Sequence, residues 1–253
     1  MAVFAGVLLG FTLIEALVPA RARVLPRARR WVTNLSLSAL GSVVGALMAP
    51  VLAVSVAALA ASKGWGLFNL LALPGWVEIL LAVVLLDFAV WAQHVASHHV
   101  PVLWRLHKVH HTDRDLDATS GVRFHPVEIG LSLLWKALVI TLLGPAVLAV
   151  LIFEIVLNAG AIITHSNTAL PPAIDRIVRR LFVTPDMHRI HHSVRERETN
   201  SNFGFNLSVW DRLFRTYRAA PQGELRLGLL EHQSERPARL LPSLALPFVR
   251  EPR

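Results

Sequence analysis

The chain contains no cysteine, which excludes a disulfide framework, a thiolate metal site and a cysteine nucleophile. It is also short of charge. Asp, Glu, Lys and Arg make up 17% of its 253 residues, against about 25% in an ordinary soluble domain. Hydrophobic residues account for 54% and the mean hydropathy is +0.51, so a water-soluble globule would have too little polar surface to cover its core. A soluble enzyme, a disordered chain and a fibrous repeat are thereby excluded. What remains to bind ions is histidine, of which there are twelve.

The apolar residues gather in four runs, at 2–20, 35–61, 69–92 and 130–164. A hydrocarbon core ~30 Å thick takes about 20 residues of helix, so each of the first three is long enough to span. Gly144-Pro145 breaks the fourth, which predicts a tight helical hairpin whose shorter arm, about 21 Å long, falls short of a full crossing. A cleaved leader would carry basic residues before its apolar stretch. The run 2–20 instead contains Glu15 and is followed by arginines, so a retained helix is expected.

The formal charge of +8 is distributed unevenly: 23 of the 25 basic residues lie in 21–30, 105–123 and 176–253, and only Lys63 and Lys136 fall elsewhere. Three spans and a returning hairpin put all 23 on one face, which the positive-inside rule names the cytoplasm. No nucleic-acid motif accompanies them. They set sidedness and attract anionic headgroups, so the expected partner is a membrane and not a nucleic acid. The predicted architecture is all-α and integral to the membrane, a multi-pass protein of the cell membrane. About four to five hydrophobic helices form a stem under a cytoplasmic helical cap. Residues 1–79 are read as N-terminal transmembrane helices, 80–218 as the catalytic domain and 219–253 as a peripheral tail.

Ten histidines sit on that cytoplasmic flank, leaving only His99 and His232. His94 and His98 are four apart where the third helix leaves the bilayer, so their rings share one helical face and suit one ion. In His107-x-x-His110-His111 the first ring neighbours both later ones. The adjacent pair splays by about 100° and can address two ions. The pattern returns as His188-x-x-His191-His192, while His125 and His165 stand singly. Nine or ten imidazoles exceed what one tetrahedral ion can use, so two metals are implied. Ligation without sulfur suits iron, zinc or copper.

Asp87, seven residues before His94 on the same helical face, is a costly intramembrane charge. We expect it to accept a ring N–H from a ligand histidine and so fix its tautomer. Asn167, two residues after His165, is the other candidate for such a supporting role. Glu128, just after His125-Pro126, either serves the site or caps the helix that starts there. Glu15, Glu78 and Glu154 are further intramembrane acids to which the sequence assigns no partner. Asn200, Asn202 and Gly204 mark a turn, after which Trp210, Leu213 and Phe214 form a short amphipathic stretch against the cap.

The stretch DFAVWAQHVASHHVPVLWRLHKVHH at 87–111, together with RFHPVE at 123–128, HSN at 165–167, TPDMHRIHHS at 184–193 and the post-box NSNFGFNLSVWDRLFRTY at 200–217, resembles the fatty acid hydroxylase (sterol desaturase) superfamily. The resemblance covers about residues 80–218. It implies a membrane-bound, O2-dependent hydroxylase or desaturase acting on fatty acyl or sterol-like lipids. It further implies two iron ions, for which zinc can substitute, and ligation by His94, His98, His107, His110, His111, His125, His165, His188, His191 and His192. The sequence departs from the family in having Gln93 and Val95 around His94, and Ala161 where some members carry a further histidine four residues before His165. At this length no fused cytochrome-like domain is expected, so electrons are expected from a separate ferredoxin- or cytochrome b5-like protein. Two other readings compete: a zinc hydrolase, which would want a general base such as that of HExxH, absent here, and a metal transporter, whose ligands would lie near the bilayer midplane.

Overall fold

A computed structural model describes residues 2–249. Met1 and the last four residues, including Arg250 and Arg253 of the basic tail, lie outside the described residues. The described residues form an all-helical protein, with only two isolated β-bridges, Phe182–Leu207 and Ser193–Leu227. Three helices are long and apolar enough to cross a membrane: α4 (Gly75–His99), α6 (Pro126–Leu143) and α7 (Val147–His165). Their outward residues stay apolar where no protein covers them, as at Leu80 and Leu81, Leu134 and Leu138, and Leu148 and Leu151. Such an exposed belt suits contact with lipid.

The hairpin forms as expected. Gly144 takes φ 59° and caps α6, and the chain turns back into α7. Both arms reach spanning length, 18 and 19 residues, because α6 begins at Pro126, four residues before the apolar run. The turn is close-packed: a Cβ on Gly144 would stand 2.0 Å from the Trp65 carbonyl oxygen. Glu78 accepts a hydrogen bond from the Ala146 N–H (2.8 Å), which gives that intramembrane acid its partner.

Two of the expected spans come out differently. The run 35–61 is not one helix. It breaks at Ala49–Val51 into α2 (Arg27–Leu47) and α3 (Ala53–Lys63), because Pro50 has no N–H to continue the ladder and its ring would clash with the preceding turn. The two pieces climb α6 in sequence. Gly41 lies against Ile129 and Gly130 faces Met48, while further on Ala53, Val56 and Ala57 join Leu86, Ile140, Val150 and Phe153 in the stem core. The first run yields α1 (Ala2–Leu17), sixteen residues and about 24 Å long, shorter than the three spanning helices. Its Glu15 is fully buried and accepts from the Ala118 and Asn167 N–H groups (3.0 and 3.1 Å) and from Arg27 (3.2 Å).

The histidine ends of α4 and α7 and the start of α6 meet at one end of the stem, under a cap of short helices. These are α5 (Pro101–His111), α8 (Pro172–Val178), α9 (Pro185–His191), α10 (Glu196–Thr199), α11 (Val209–Leu213) and α12 (Leu240–Ala245). Arginines bind the N-terminal helices to this cap. Arg21 donates to the Leu225 carbonyl (2.7 Å), and Arg30 grips both oxygens of Asp113 (2.7 and 2.8 Å) and one of Asp117 (2.7 Å). The tail packs onto this end too: Pro237, Ala238 and Ser243 are buried, and Arg123 donates to the Pro237 carbonyl (2.7 Å) and the Ser243 hydroxyl (3.0 Å).

Candidate metal centre

Nine histidines converge in two groups, the ring nitrogens of each lying within 4.8 Å of one another: His94, His98, His107, His111 and His191 in the first, His110, His165, His188 and His192 in the second. All are buried except His98, which is partly so. The splay of adjacent rings accounts for the partition. Within α5, His107 and His111 share a face and serve the first group, while His110 points to the second. In and just after α9 the assignment is exchanged: His188 and His192 serve the second group and His191 the first. The two HxxHH boxes thus lend each other one ring. His94 and His98, one turn apart on α4, complete the first group. His165 on α7 completes the second, where Ala161 stands one turn before it.

In six of the nine rings the nitrogen not facing the centre meets an acceptor. His94 Nδ1 donates to the Phe203 carbonyl (2.7 Å), His110 Nδ1 to that of Arg123 (3.2 Å), His165 Nδ1 to that of Ala161 (2.6 Å) and His191 Nδ1 to that of Ser201 (2.8 Å). His107 Nδ1 donates to Glu128 Oε1 (2.6 Å), and His98 Nδ1 lies 3.2 Å from Asn200 Oδ1. A carbonyl only accepts, so His94, His110, His165 and His191 carry a proton on Nδ1 and turn Nε2 inward as the ligating atom.

The inward Nε2 atoms face each other closely. His110 Nε2 and His188 Nε2 each lie 2.9 Å from His165 Nε2, and His94 Nε2 lies 3.1 Å from His107 Nε2. Two lone pairs at such a distance repel unless a cation stands between them. Imidazoles held ~2.1 Å from one ion at right angles would stand about 3 Å apart. His98 Nε2, His191 Nε2, His188 Nδ1 and both nitrogens of His111 and His192 are buried without a hydrogen-bond partner; ligation would satisfy one nitrogen each of His98, His111, His191 and His192. The donor set therefore fits two metal ions. Burial and the neighbouring imidazoles hold His110, His111, His188, His191 and His192 well below the ordinary histidine value, so the rings are neutral and ready to ligate.

Three of the expected site residues lie elsewhere. The structure brings His125 to neither group. Its Nδ1 accepts from the Val127 N–H as the cap of α6, and its Nε2 lies 3.3 Å from the Leu244 carbonyl oxygen. Asp87 does not touch a histidine: it accepts from Asn206 Nδ2 (3.0 Å), the Leu207 N–H (3.3 Å) and Trp210 Nε1 (2.9 Å), pinning the post-box segment to α4. Asn167 exchanges hydrogen bonds with the Arg21 backbone (2.9 and 3.1 Å), tying the end of α7 to the chain after α1. The carboxylate behind a histidine is Glu128, whose place in the sequence allowed capping equally well.

The Arg30, Asp113 and Arg123 cluster behind α5 had no signal in the sequence. Burial alone would push the Asp113 carboxyl up, but Arg30 and Arg123 hold it far below the usual carboxylate range. Arg123, pushed down to about 10 by burial, stays charged at neutral pH. It donates to the Val109 carbonyl (2.9 Å) and to Asn34 Oδ1 (2.8 Å), so it supports the helix that carries His107, His110 and His111. The partners are more than eighty positions apart for Arg30–Asp113, beyond the reach of any local spacing.

The family model described as Fatty acid hydroxylase matches residues 79–216, more than half of the chain and all nine converging histidines. The chain belongs to the fatty acid hydroxylase family. An ornithine lipid hydroxylase, OlsE, of Rhizobium tropici is 29% identical over 182 residues, covering 71% of this chain and 53% of the relative. An alkylglycerol monooxygenase of Xenopus tropicalis is 28% identical over 173 residues, covering 66% and 36%. A cholesterol 25-hydroxylase of Rattus norvegicus is 28% identical over 149 residues, covering 58% and 49%. The matches to this chain thus span about half of these relatives' length or less. No solved structure matches it.

Proposed function

We propose that this protein is an O2-dependent oxidoreductase that hydroxylates or desaturates a lipid at a di-iron centre. The nine converging imidazoles would hold the two ions, five rings on one and four on the other. The observation that carries the reading is the set of inward Nε2 atoms 2.9–3.1 Å apart, with the Nδ1 protons of His94, His107, His110 and His165 fixed from behind. Iron bound there supplies the reductive activation of O2 that an unreactive C–H bond requires.

The chain's own residues hold and position. Glu128 orients His107, the Phe203 and Ala161 carbonyls orient His94 and His165, and the Arg30–Asp113 pair keeps α5 in place. A cavity of about 740 Å³ runs from His94, His107 and Glu128 down between α1, α2, α6 and α7, and supplies the apolar path by which a lipid chain reaches the centre. The arginines gathered on the histidine end support a cytoplasmic position for it by the positive-inside rule, where a separate electron-donor protein would have access. Relatives named as lipid hydroxylases and monooxygenases support the substrate class.

Replacing His110 or His188 with alanine tests the reading. Each variant is expected to lose iron and, with reductant and O2 supplied, to form no oxidised lipid. Unchanged turnover in an iron-depleted variant would defeat it. Dependence on a reductant separates the reaction from hydrolysis.

A further inference from the structure

One charged pair lies far from the histidines and inside the stem. Lys136 Nζ donates to Glu154 Oε1 (2.6 Å) across the hairpin, from near the middle of α6 to near the middle of α7. Charges at that depth are expensive and mark function more often than structure. Apolar residues of similar volume would join two helices as well or better, so helix packing gives no reason for the pair. Both side chains line the cavity that also touches His94, His107 and Glu128. Between them and the histidines the same wall carries a second polar contact, Ser132 Oγ donating to Gln93 Oε1 (3.3 Å).

We propose that Lys136 and Glu154 form a polar subsite in the lipid chamber, which binds an uncharged hydroxyl or amide group of the substrate and sets which of its carbons lies at the histidines. The proposal rests on the reading of the histidine groups as a lipid-oxidising centre. The pair is neutral as a unit. An anionic group would be repelled by Glu154 and a cationic one by Lys136, and either would bring an uncompensated charge into low dielectric. A neutral group that both donates and accepts is complementary, because the ammonium keeps two further N–H donors and the carboxylate further lone pairs. Lys136 is eight residues beyond Glu128 on the same helix, or about 12 Å along its axis. That separation along α6 fixes which carbon of a bound chain can reach the histidines.

The test is competition binding to the iron-loaded protein in lipid nanodiscs, reading displacement of tritiated hexadecan-1-ol by equal bilayer fractions of hexadecan-1-ol, hexadecane and hexadecyl phosphate. In the wild type the alcohol is expected to compete about tenfold better than either of the others, equivalent to ~1.4 kcal/mol. In the double variant Lys136→Met/Glu154→Met that preference should vanish, with iron content and hexadecane competition retained. A pair that only braced the hairpin would leave the preference unmoved. Equal competition by all three in the wild type, which needs no variant to fold, overturns the subsite, as does a preference that survives in the double variant. Binding is read without turnover. An intact alcohol preference in a protein that oxidises no lipid would therefore uphold the subsite and count against the oxidation reading alone.

Discussion

At the scale of single residues, the decisive feature is which atom of each ring is free. Helical spacing shows which histidines share a face, and so it anticipates His94 with His98 and the splay within each HxxHH box. It is silent on much of what stands behind the rings, because several acceptors come from other segments: the Phe203 carbonyl for His94 and Glu128 for His107. The role expected of Asp87 falls to Glu128 for the same reason. Asp87 lies on the histidine face of α4, yet Trp210 and Asn206 reach it first; Glu128 is carried to His107 by the approach of α6 to α5. Glu128→Gln is accordingly expected to weaken metal retention by about 10–100-fold in a chelator titration, with the fold intact. Asp87→Asn should lower thermal stability but leave metal content per folded chain unchanged. Asp113→Asn removes one of the two carboxylates on the buried Arg30 guanidinium, leaving Asp117 in place, and should cost about 1–3 kcal/mol in unfolding measurements.

At the scale of elements, hydropathy marked the hairpin and α4 but not the break in 35–61. Apolar content is continuous across Met48–Val51, and only Pro50 signals that two helices share one ascent. The cap is harder to read, since its helices are short and held by side chain-to-backbone contacts more than by periodic apolar faces. One such contact joins the turn Ala118–Val122 to α7, where a Cβ on Gly121 would lie 2.6 Å from the Ala161 carbonyl oxygen. That oxygen is the acceptor for His165. Gly121→Ala must therefore displace α7 beside its ligand, and the four-ring group should lose its ion in preference to the five-ring group. Metal content near one ion per chain, with the remaining ion still resistant to chelator, is the expected reading.

At the scale of the whole molecule, the stem and cap come together to bring nine rings into two inward-facing groups. The folded-state values of His110, His111, His188, His191 and His192 lie well below the ordinary one, whereas in the unfolded chain these rings titrate near 6.5. The unfolded state thus binds more protons in the interval between. The contribution of these rings to stability is fully present above about pH 6.5 and is lost progressively as the pH falls below it. Metal occupancy follows the same sign, because protons compete for the ligating nitrogens. Occupancy and melting temperature measured from pH 8 to pH 5 should both stay level at first and then decline together below about 6.5.

The most direct test of the central claim is metal analysis joined to X-ray absorption on protein extracted from iron-replete cells in mild detergent. Two ions per chain are expected, each surrounded by imidazole nitrogens at about 2.0–2.2 Å and without sulfur. One ion or none per chain, or a coordination sphere dominated by oxygen, would contradict the account.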